Sequence, residues 1–167
     1  MFKKFLLAVL VAAPMCLSAQ TLKFGAVNPM EIFNVMPEVA TANNTLKGVQ
    51  EKYAAQAKPL EDELQKKLNE YEELAKNKAS EAQLEAKQKE FEDLKTRYDN
   101  FRQTAEKDMQ QQQETLLAPI QQKLMNAIQA VGAEGGYAGI LDSATLLYRG
   151  NNIEDVSAKV KAKLNIK

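Results

Sequence analysis

The sequence predicts an α+β protein that is predominantly α, in which a long, coiled-coil-like antiparallel helical hairpin projects from a small β-containing oligomerisation body. Residues 38–116 carry a charged, helical pattern with Gly48 as their only glycine. A turn-like segment interrupts this pattern near residues 76–80. Short apolar runs rich in strand-forming residues lie on either side of it, at 22–27 and 137–148. A helical period sustained over tens of residues favours a long arm, whereas short runs of this kind are typical of strands.

The first nineteen residues have the pattern of a secretory signal peptide. A basic start is followed by an apolar segment and by small residues before Gln20, so we expect cleavage after Ala19 and export from the cytoplasm. A lipoprotein anchor on Cys16 is the alternative, because a cysteine follows the apolar run. Met15 argues against this anchor, because a small residue is needed before a lipidated cysteine.

The composition argues against most catalytic and metal chemistry. The chain has no histidine, and its single cysteine, Cys16, lies in the predicted signal peptide. The usual zinc, copper and iron ligands are therefore missing, as is the usual general base at neutral pH. Acidic clusters at 61–63 and 70–73 are interpreted as solvated helix faces, because no glycine-turned loop gathers them. We expect no enzyme activity, no catalytic or metal site and no cofactor.

The charge balance argues against a nucleic-acid partner. The chain has 22 basic and 22 acidic residues, and two of the basic ones, Lys3 and Lys4, belong to the predicted signal peptide. The remaining 20 basic residues against 22 acidic ones give a net charge of −2. Because no run of basic residues marks a polyanion-binding surface, we expect no nucleic acid to bind.

Residues 22–27 predict a short strand that leads directly into a short helix. Asn28 is expected to cap this helix, with Pro29 at its first position and Glu31 completing a capping-box-like pattern. Pro37 is expected to open the next helix.

From Glu38 to Lys76 the pattern is helical, and its apolar positions repeat every eleven residues. They are Leu46, Val49, Tyr53, Ala57, Leu60, Leu64, Leu68, Tyr71 and Ala75. An eleven-residue repeat keeps one narrow stripe in line on a nearly straight helix, so it can seal against one neighbouring helix. Pro59 lies in the middle of this helix and predicts a kink or hinge, with a helix break as the alternative.

A second helix is expected after Ser80, because Gln83 three residues later forms a capping box with it. Its apolar positions are Leu84, Phe91, Leu94, Tyr98, Phe101 and Ala105. So short a break between two stripes predicts an antiparallel hairpin with its tip near 76–80. Beyond Ala105 the stripe fades into residues 106–115, which are interpreted as either a solvated helix or a polar wall facing an enclosed space.

An apolar face returns at residues 117–131, where Pro119 predicts a bend or a restart of the helix. Gly132 and the pair Gly135-Gly136 are expected to end it.

The segment that follows reads as a β-hairpin, with "YAGIL" and "TLLY" as strands and "DSA" as the turn. Ser157 is expected to cap a final short helix.

The predicted organisation is thus a signal peptide at 1–19, a body formed by 20–37 and 117–167, and an arm at 38–116. The compact part of this body, residues 22–37 and about 117–167, has some 67 residues, so it is marginal alone and exposes strand edges, and we expect it to oligomerise. The residues expected at the oligomer interface are Phe24, Val27, Ile32, Phe33, Ile140, Leu141, Leu146, Leu147 and Tyr148.

Taken in order, these segments resemble the Skp/OmpH family of periplasmic chaperones. The resemblance is carried by "LKFGAVNPMEIF", the capped "SEAQ" at the tip, "LLAPIQQKLMNAIQAV", "GYAGILDSATLLY" and "DVSAKVKAKL". It implies a periplasmic homotrimer whose intertwined strands form a barrel-like body and whose three arms enclose a cavity. Such proteins hold unfolded outer-membrane β-barrel proteins soluble without ATP.

If the resemblance holds, four side chains on the arm are candidates for contact with clients: Leu74, Tyr98, Phe101 and Met109. Packing within or between arms is the alternative for each of them. Well-known members of the family are strongly basic, so the net charge of −2 does not favour contact with lipopolysaccharide or membranes. A structural or adaptor coiled-coil protein that bridges cell-envelope partners is the alternative function.

Overall fold

The computed structural model describes residues 22–166. The predicted signal peptide and Cys16 lie outside the described residues. Within this range the elements follow the order β1 (Phe24–Val27), α1 (Pro29–Asn34), α2 (Pro37–Lys76), α3 (Glu81–Glu134), β2 (Gly139–Asp142), β3 (Ile153–Asp155) and α4 (Ser157–Lys163). Two long helices and a small sheet confirm the predominantly helical α+β class.

The two long helices run without interruption through their prolines. Helix α2 has 40 residues with Pro59 inside it, and α3 has 54 residues with Pro119 inside it. At 1.5 Å per residue these helices extend about 60 and 80 Å. The predicted alternatives of a break at Pro59 and a restart at Pro119 are therefore wrong. A proline removes one backbone hydrogen-bond donor. The hydrogen bonds of the many helical turns on each side are sufficient to keep the helix continuous despite that loss.

None of the helices described for residues 22–166 combines the length and the hydropathy that a bilayer-spanning segment needs.

The helix start predicted at Asn28 is confirmed. The Asn28 side-chain oxygen accepts hydrogen bonds from the backbone N–H groups of Met30 at 3.1 Å and Glu31 at 3.3 Å. The Asn28 amide nitrogen donates to the Glu31 carboxylate at 2.9 Å. These bonds satisfy donors that the first turn of α1 cannot pair internally, so α1 begins directly where β1 ends.

The tip of the hairpin combines a left-handed helix end with a capped helix start. Lys78 has φ of 54°, and the N–H of Ala79 donates to the carbonyl of Leu74 at 3.1 Å. The Gln83 side-chain oxygen then accepts from the N–H and the hydroxyl of Ser80, at 3.1 and 3.0 Å. The predicted start of α3 after Ser80 is thereby confirmed, and four residues suffice to reverse the chain.

The sheet has the order β2-β1-β3, and both pairings are parallel. Phe24 lies opposite Gly139 in β2 and opposite Ile153 in β3. The predicted β-hairpin is therefore wrong, and residues 145–148 form no strand.

The turn predicted at "DSA" does form, because the Asp142 side chain accepts from the N–H of Ala144 at 2.9 Å. After it, however, the chain crosses to the other side of β1 instead of returning beside β2. That path brings Val156 and Val160 to full burial, both at 0 % exposure. Burying these two valines removes their apolar surface from water, which favours this path of the chain.

One hydrophobic core fills the space between the sheet, α1, α4 and the ends of α2 and α3. Its buried members are Val27, Ile32, Met36, Val39, Ala42, Ile120, Leu124, Ala127, Ile128, Val131, Val156, Val160 and Leu164. Gly25 is required in β1, because a Cβ there would lie 3.0 Å from a Val156 methyl group and 3.2 Å from Ile140. The core thus draws on both ends of the described chain and on the roots of the two long helices.

Candidate functional site

Two surfaces are candidates for function: the flanks of the arm, residues 38–116, and the exposed apolar side of the body, the remaining described residues. In the arm, α2 and α3 pack against each other along a narrow line of contact, the seam. On α2 the apolar positions predicted from Leu46 to Leu64 are half-buried, which confirms that part of the stripe. On α3 the predicted positions from Leu84 to Ala105 are likewise half-buried or buried, Leu94 at 5 % exposure.

Near the tip the seam departs from the eleven-residue repeat. Leu68 is 37 % exposed and Ala75 is exposed, whereas Lys67 and Leu74 are half-buried. The steps from Leu64 onward are therefore 3, 4 and 3 residues, a heptad-like spacing. The cause is visible in Lys67, whose stem lies in the seam while its ammonium reaches the Glu90 carboxylate on α3 at 2.6 Å.

Polar contacts cross the seam along its length. The Tyr53 hydroxyl donates to Asp108 at 2.7 Å near the root of the arm, and the Tyr98 hydroxyl donates to Glu61 at 2.6 Å farther out. Near the tip, Lys87 pairs with Glu70 at 3.1 Å. Two helices with so few buried apolar residues are thus tied together by side chains that can also be satisfied by water.

Two carboxylates that bond across the seam, those of Glu90 and Asp108, have lowered pKa values. The hydrogen bond from Lys67, supported by Lys87, holds the pKa of Glu90 below its usual range. The hydrogen bond from the Tyr53 hydroxyl holds the pKa of Asp108 below its usual range and raises the pKa of Tyr53 itself. Both carboxylates are therefore ionised at neutral pH, where these contacts are at full strength.

The four side chains suggested for client contact lie along the seam. The Tyr98 hydroxyl donates a hydrogen bond to Glu61. The Phe101 ring packs against Tyr53 edge to face, with ring centroids 6.0 Å apart. Leu74 and Met109 are half-buried. Each of the four therefore offers only part of its surface to a ligand.

A groove near the tip was missed by the sequence reasoning. It lies between α2 and α3, has a volume of about 450 Å³, and is lined by Leu68, Tyr71, Gln88, Phe91, Glu92 and Lys95. Its apolar floor arises because the seam passes through Lys67 and leaves Leu68 beside it. The eleven-residue repeat places Leu68 and Ala75 in the seam, whereas the observed heptad-like spacing places Lys67 and Leu74 there, and a lysine at a seam position gives no apolar signal in the sequence.

The residues suggested for the oligomer interface fall into two groups. Val27 and Ile32 are buried in the chain's own core, at 2 % and 1 % exposure, and Phe24, Phe33, Ile140 and Leu146 are half-buried. By contrast, Leu141 is 37 % exposed, Tyr148 83 % and Leu147 fully exposed. The surface available to a partner is therefore concentrated in β2 and the loop after it.

The sheet itself ends in two open edges within the described chain. Strands β2 and β3 each pair with β1 on one side only, and both are short, with four and three residues. Unpaired backbone groups at such edges are ready to bond with another chain.

A charged cluster on the surface of the body ties its strands to α4. The Glu154 carboxylate on β3 accepts from Lys159 at 2.6 Å and from Lys23 at 3.0 Å, and both ammonium groups lie over the Tyr137 ring. The hydrogen bond from Lys159, above all, lowers the pKa of Glu154 to about 2. Every member of this cluster has a partner within the chain, so the cluster links β3 to α4 and to the residue before β1.

Residues 23–164 match the family described as "Outer membrane protein (OmpH-like)". The match spans most of the chain, so the chain belongs to this family, which confirms the resemblance to the Skp/OmpH proteins. A comparison with curated proteins gives no match.

Proposed function

From its membership of the OmpH-like family and the geometry of its arm, we propose that this protein is an ATP-independent holdase chaperone of the periplasm. In this proposal three copies assemble through their bodies, and their arms enclose a cavity in which an unfolded outer-membrane β-barrel protein is kept from aggregating. No enzyme activity or cofactor is needed, because holding a chain requires contact and exclusion rather than a chemical step.

The main support for the proposal is the distribution of buried apolar residues along the chain. Between Ala42 and Ile120, themselves part of the body's core, Leu94 is the one buried apolar side chain of the described chain. The arm is therefore nearly all surface, with no core of its own. A structure of this shape has a large contact area for its mass and leaves both flanks free to touch another molecule.

The chemistry of the flanks suits a client without a defined structure. An unfolded chain offers apolar and polar groups in no fixed order, so a holder needs many weak contacts of both kinds. The groove at Leu68, Tyr71 and Phe91 supplies apolar contact, and its rim carries Glu92 and Lys95, one charge of each sign. We propose this groove as a client contact together with the suggested Leu74, Tyr98, Phe101 and Met109, of which Met109 has the most adaptable side chain.

The proposed assembly is supported by the apolar side chains and the strand edges that are exposed on the body. Leu141, Leu147 and Tyr148 are exposed, and the two outer strands have open edges. A body of this size gains stability when a second chain covers such surfaces. Because Val27 and Ile32 are buried in the chain's own core, the proposed interface centres on Leu141, Leu147 and Tyr148.

The test is suppression of aggregation. A β-barrel membrane protein is diluted from urea into buffer with the purified protein, and light scattering is followed without nucleotide. We expect scattering to be suppressed at about one oligomer per client, and added ATP to change nothing.

A matched pair of variants locates the contact. Leu68→Asn lies in the groove and should weaken suppression, whereas Ala75→Asn is exposed on the same helix away from the groove and should not. If an oligomer confirmed by its mass fails to suppress scattering, the holdase proposal is wrong and an adaptor role between envelope partners takes its place.

A further inference from the structure

The sulfur atoms of residues 22–166 belong to four methionines, and these differ sharply in exposure. Met36 is 1 % exposed and belongs to the core, and Met109 is half-buried in the arm. By contrast, Met30 is 65 % exposed and Met125 is 46 % exposed. Methionine is among the residues most often found fully buried, so two exposed methionines in one small body are unusual.

The two exposed methionines share one groove. Met30 lies at the start of α1 and Met125 lies on α3, and the groove at these helices has a volume of about 270 Å³. At its base, Leu124 is 4 % exposed and Phe33 packs against the core. The full lining is Pro29, Met30, Phe33, Gln121, Leu124 and Met125. Five of these six side chains are apolar, so the groove is an apolar surface that solvent reaches through its methionines.

A methionine thioether reacts with peroxides by a defined step. A sulfur lone pair attacks one oxygen of hydrogen peroxide, and the O–O bond breaks as the S–O bond forms. The transferred hydroxyl then gives its proton to the departing hydroxide, so the products are a sulfoxide and water. The sulfur is oxidised by two electrons, and the flexible apolar side chain becomes a polar one.

Few other groups in this chain compete for such an oxidant. The sequence has no tryptophan and no histidine, and its one cysteine, Cys16, lies in the predicted signal peptide. The predicted export would place the chain in an oxidising environment. A peroxide is therefore expected to act on the methionines, and first on those that solvent reaches.

We propose that Met30 and Met125 form a paired site of oxidative modification, at which a peroxide converts both thioethers to sulfoxides and makes the groove polar. Both side chains reach solvent, so their sulfoxides can be hydrated while the body stays folded. Met36 differs, because a sulfoxide there would be a polar group without a partner inside the core. The modification thus changes a surface of the body and leaves its core intact, and it does not depend on the holdase activity.

The first experiment is peptide mapping by mass spectrometry after the purified, folded protein is treated with dilute hydrogen peroxide. We expect Met30 and Met125 to gain one oxygen each ahead of Met109, whereas Met36 should react only when urea unfolds the chain. A Met30→Leu, Met125→Leu chain should lose these first two oxygens. A Met109→Leu chain is the matched control and should keep them. Leucine replaces methionine with little change in volume, so both variants should stay folded, which circular dichroism checks.

The second measurement is retention on a hydrophobic-interaction column. Each protein is treated for the time in which the natural protein gains its first two oxygens. Retention should fall for the natural protein and for Met109→Leu, and it should stay unchanged for Met30→Leu, Met125→Leu. The circular dichroism spectrum of the natural protein should be the same before and after treatment.

Three results would overturn the proposal. If Met30 and Met125 stay reduced while Met109 reacts, the groove is covered in the protein as it exists in solution. If Met36 reacts at the same rate as the other methionines in the folded protein, exposure does not select the site. If the oxidised natural protein is retained as strongly as the reduced one, the groove does not become polar. None of these results bears on whether the protein suppresses the aggregation of a client.

Discussion

The arm and the body belong to one chain but are held together in different ways. In the body, thirteen buried apolar residues from β1, the four helices and the segments next to them meet in one core. In the arm, two helices share a narrow seam with one buried leucine and several polar contacts across it. The comparison shows that a chain can concentrate its stability in one region and leave another open for contact.

The largest expected effect is in the body. Ile32→Ala removes a side chain that is 1 % exposed, and its loss should lower the free energy of unfolding by about 2–5 kcal/mol. The matched change in the arm, Leu68→Ala at 37 % exposure, should cost about 1 kcal/mol or less. Urea unfolding followed by circular dichroism measures both. Equal losses for the two variants would contradict the contrast between body and arm.

The next effect is in the arm and has the opposite sign. Pro59→Ala restores a backbone donor in the middle of α2 and should stabilise the helix there by up to about 3 kcal/mol. Amide hydrogen exchange should become slower in the arm and stay unchanged in the body. Pro37→Ala is the control, because the first residue of α2 needs no helical donor, so exchange should hardly change. Unchanged exchange in Pro59→Ala would mean that this proline costs the arm nothing.

A smaller effect compares the same helix ending in the two regions. Lys78 at the tip and Gly136 in the body both have positive φ, 54° and 63°. Lys78→Gly should stabilise the arm by about 1 kcal/mol, and Gly136→Ala should destabilise the body by a similar amount. Thermal unfolding and hydrogen exchange at the tip measure the two changes. A stabilising Gly136→Ala would refute the conformational explanation.

The smallest effect concerns the charged cluster of the body. Because the pKa of Glu154 is lowered from 4.5 to about 2, the carboxylate stabilises the folded protein fully above pH 4.5. That contribution is lost as the pH falls towards 2. The difference in unfolding midpoint between the natural protein and Glu154→Gln should therefore be largest above pH 4.5 and vanish near pH 2. A difference that is constant with pH would show that the cluster acts through packing alone.

The local signals in the sequence were sufficient for the starts of α1 and α3 and for the end of α3, but not for α4, where Val156 rather than Ser157 is the N-cap and the N–H of Ser157 donates to the Asp155 carboxylate at 2.9 Å. Asn28 with Glu31, and Ser80 with Gln83, marked the starts of α1 and α3. The pair Gly135-Gly136 marked the end of α3, and the N–H of Tyr137 closes that end on the carbonyl of Gly132 at 3.0 Å. Capping depends on residues within a few positions of one another, so it can be read without knowing the fold.

For the two candidate surfaces the sequence was only partly sufficient, because it named Leu141, Leu147 and Tyr148 on the body but placed the last two in a strand. An apolar stripe does not reveal that Lys67 enters the seam in place of its neighbour Leu68, so the groove beside Leu68 was not predicted. Nor does the strand-forming composition of "TLLY" reveal whether a partner strand lies beside it. Entry into the seam and strand pairing both depend on which residues lie opposite in the folded protein, not on neighbours in the sequence.

By itself, the sequence determined where the helical segments on either side of the tip would begin and end, and that a short strand would lead into the first helix, whereas the structure showed that both long helices run unbroken through Pro59 and Pro119. Only the tertiary structure decided that the sheet would be parallel, with β1 in the centre and "TLLY" left in a loop. The reason is that capping and helical periodicity act within a few residues, whereas strand neighbours are chosen by the burial they permit. Here Val156 and Val160, far along the chain from β1, complete the core only when β3 takes the place beside it.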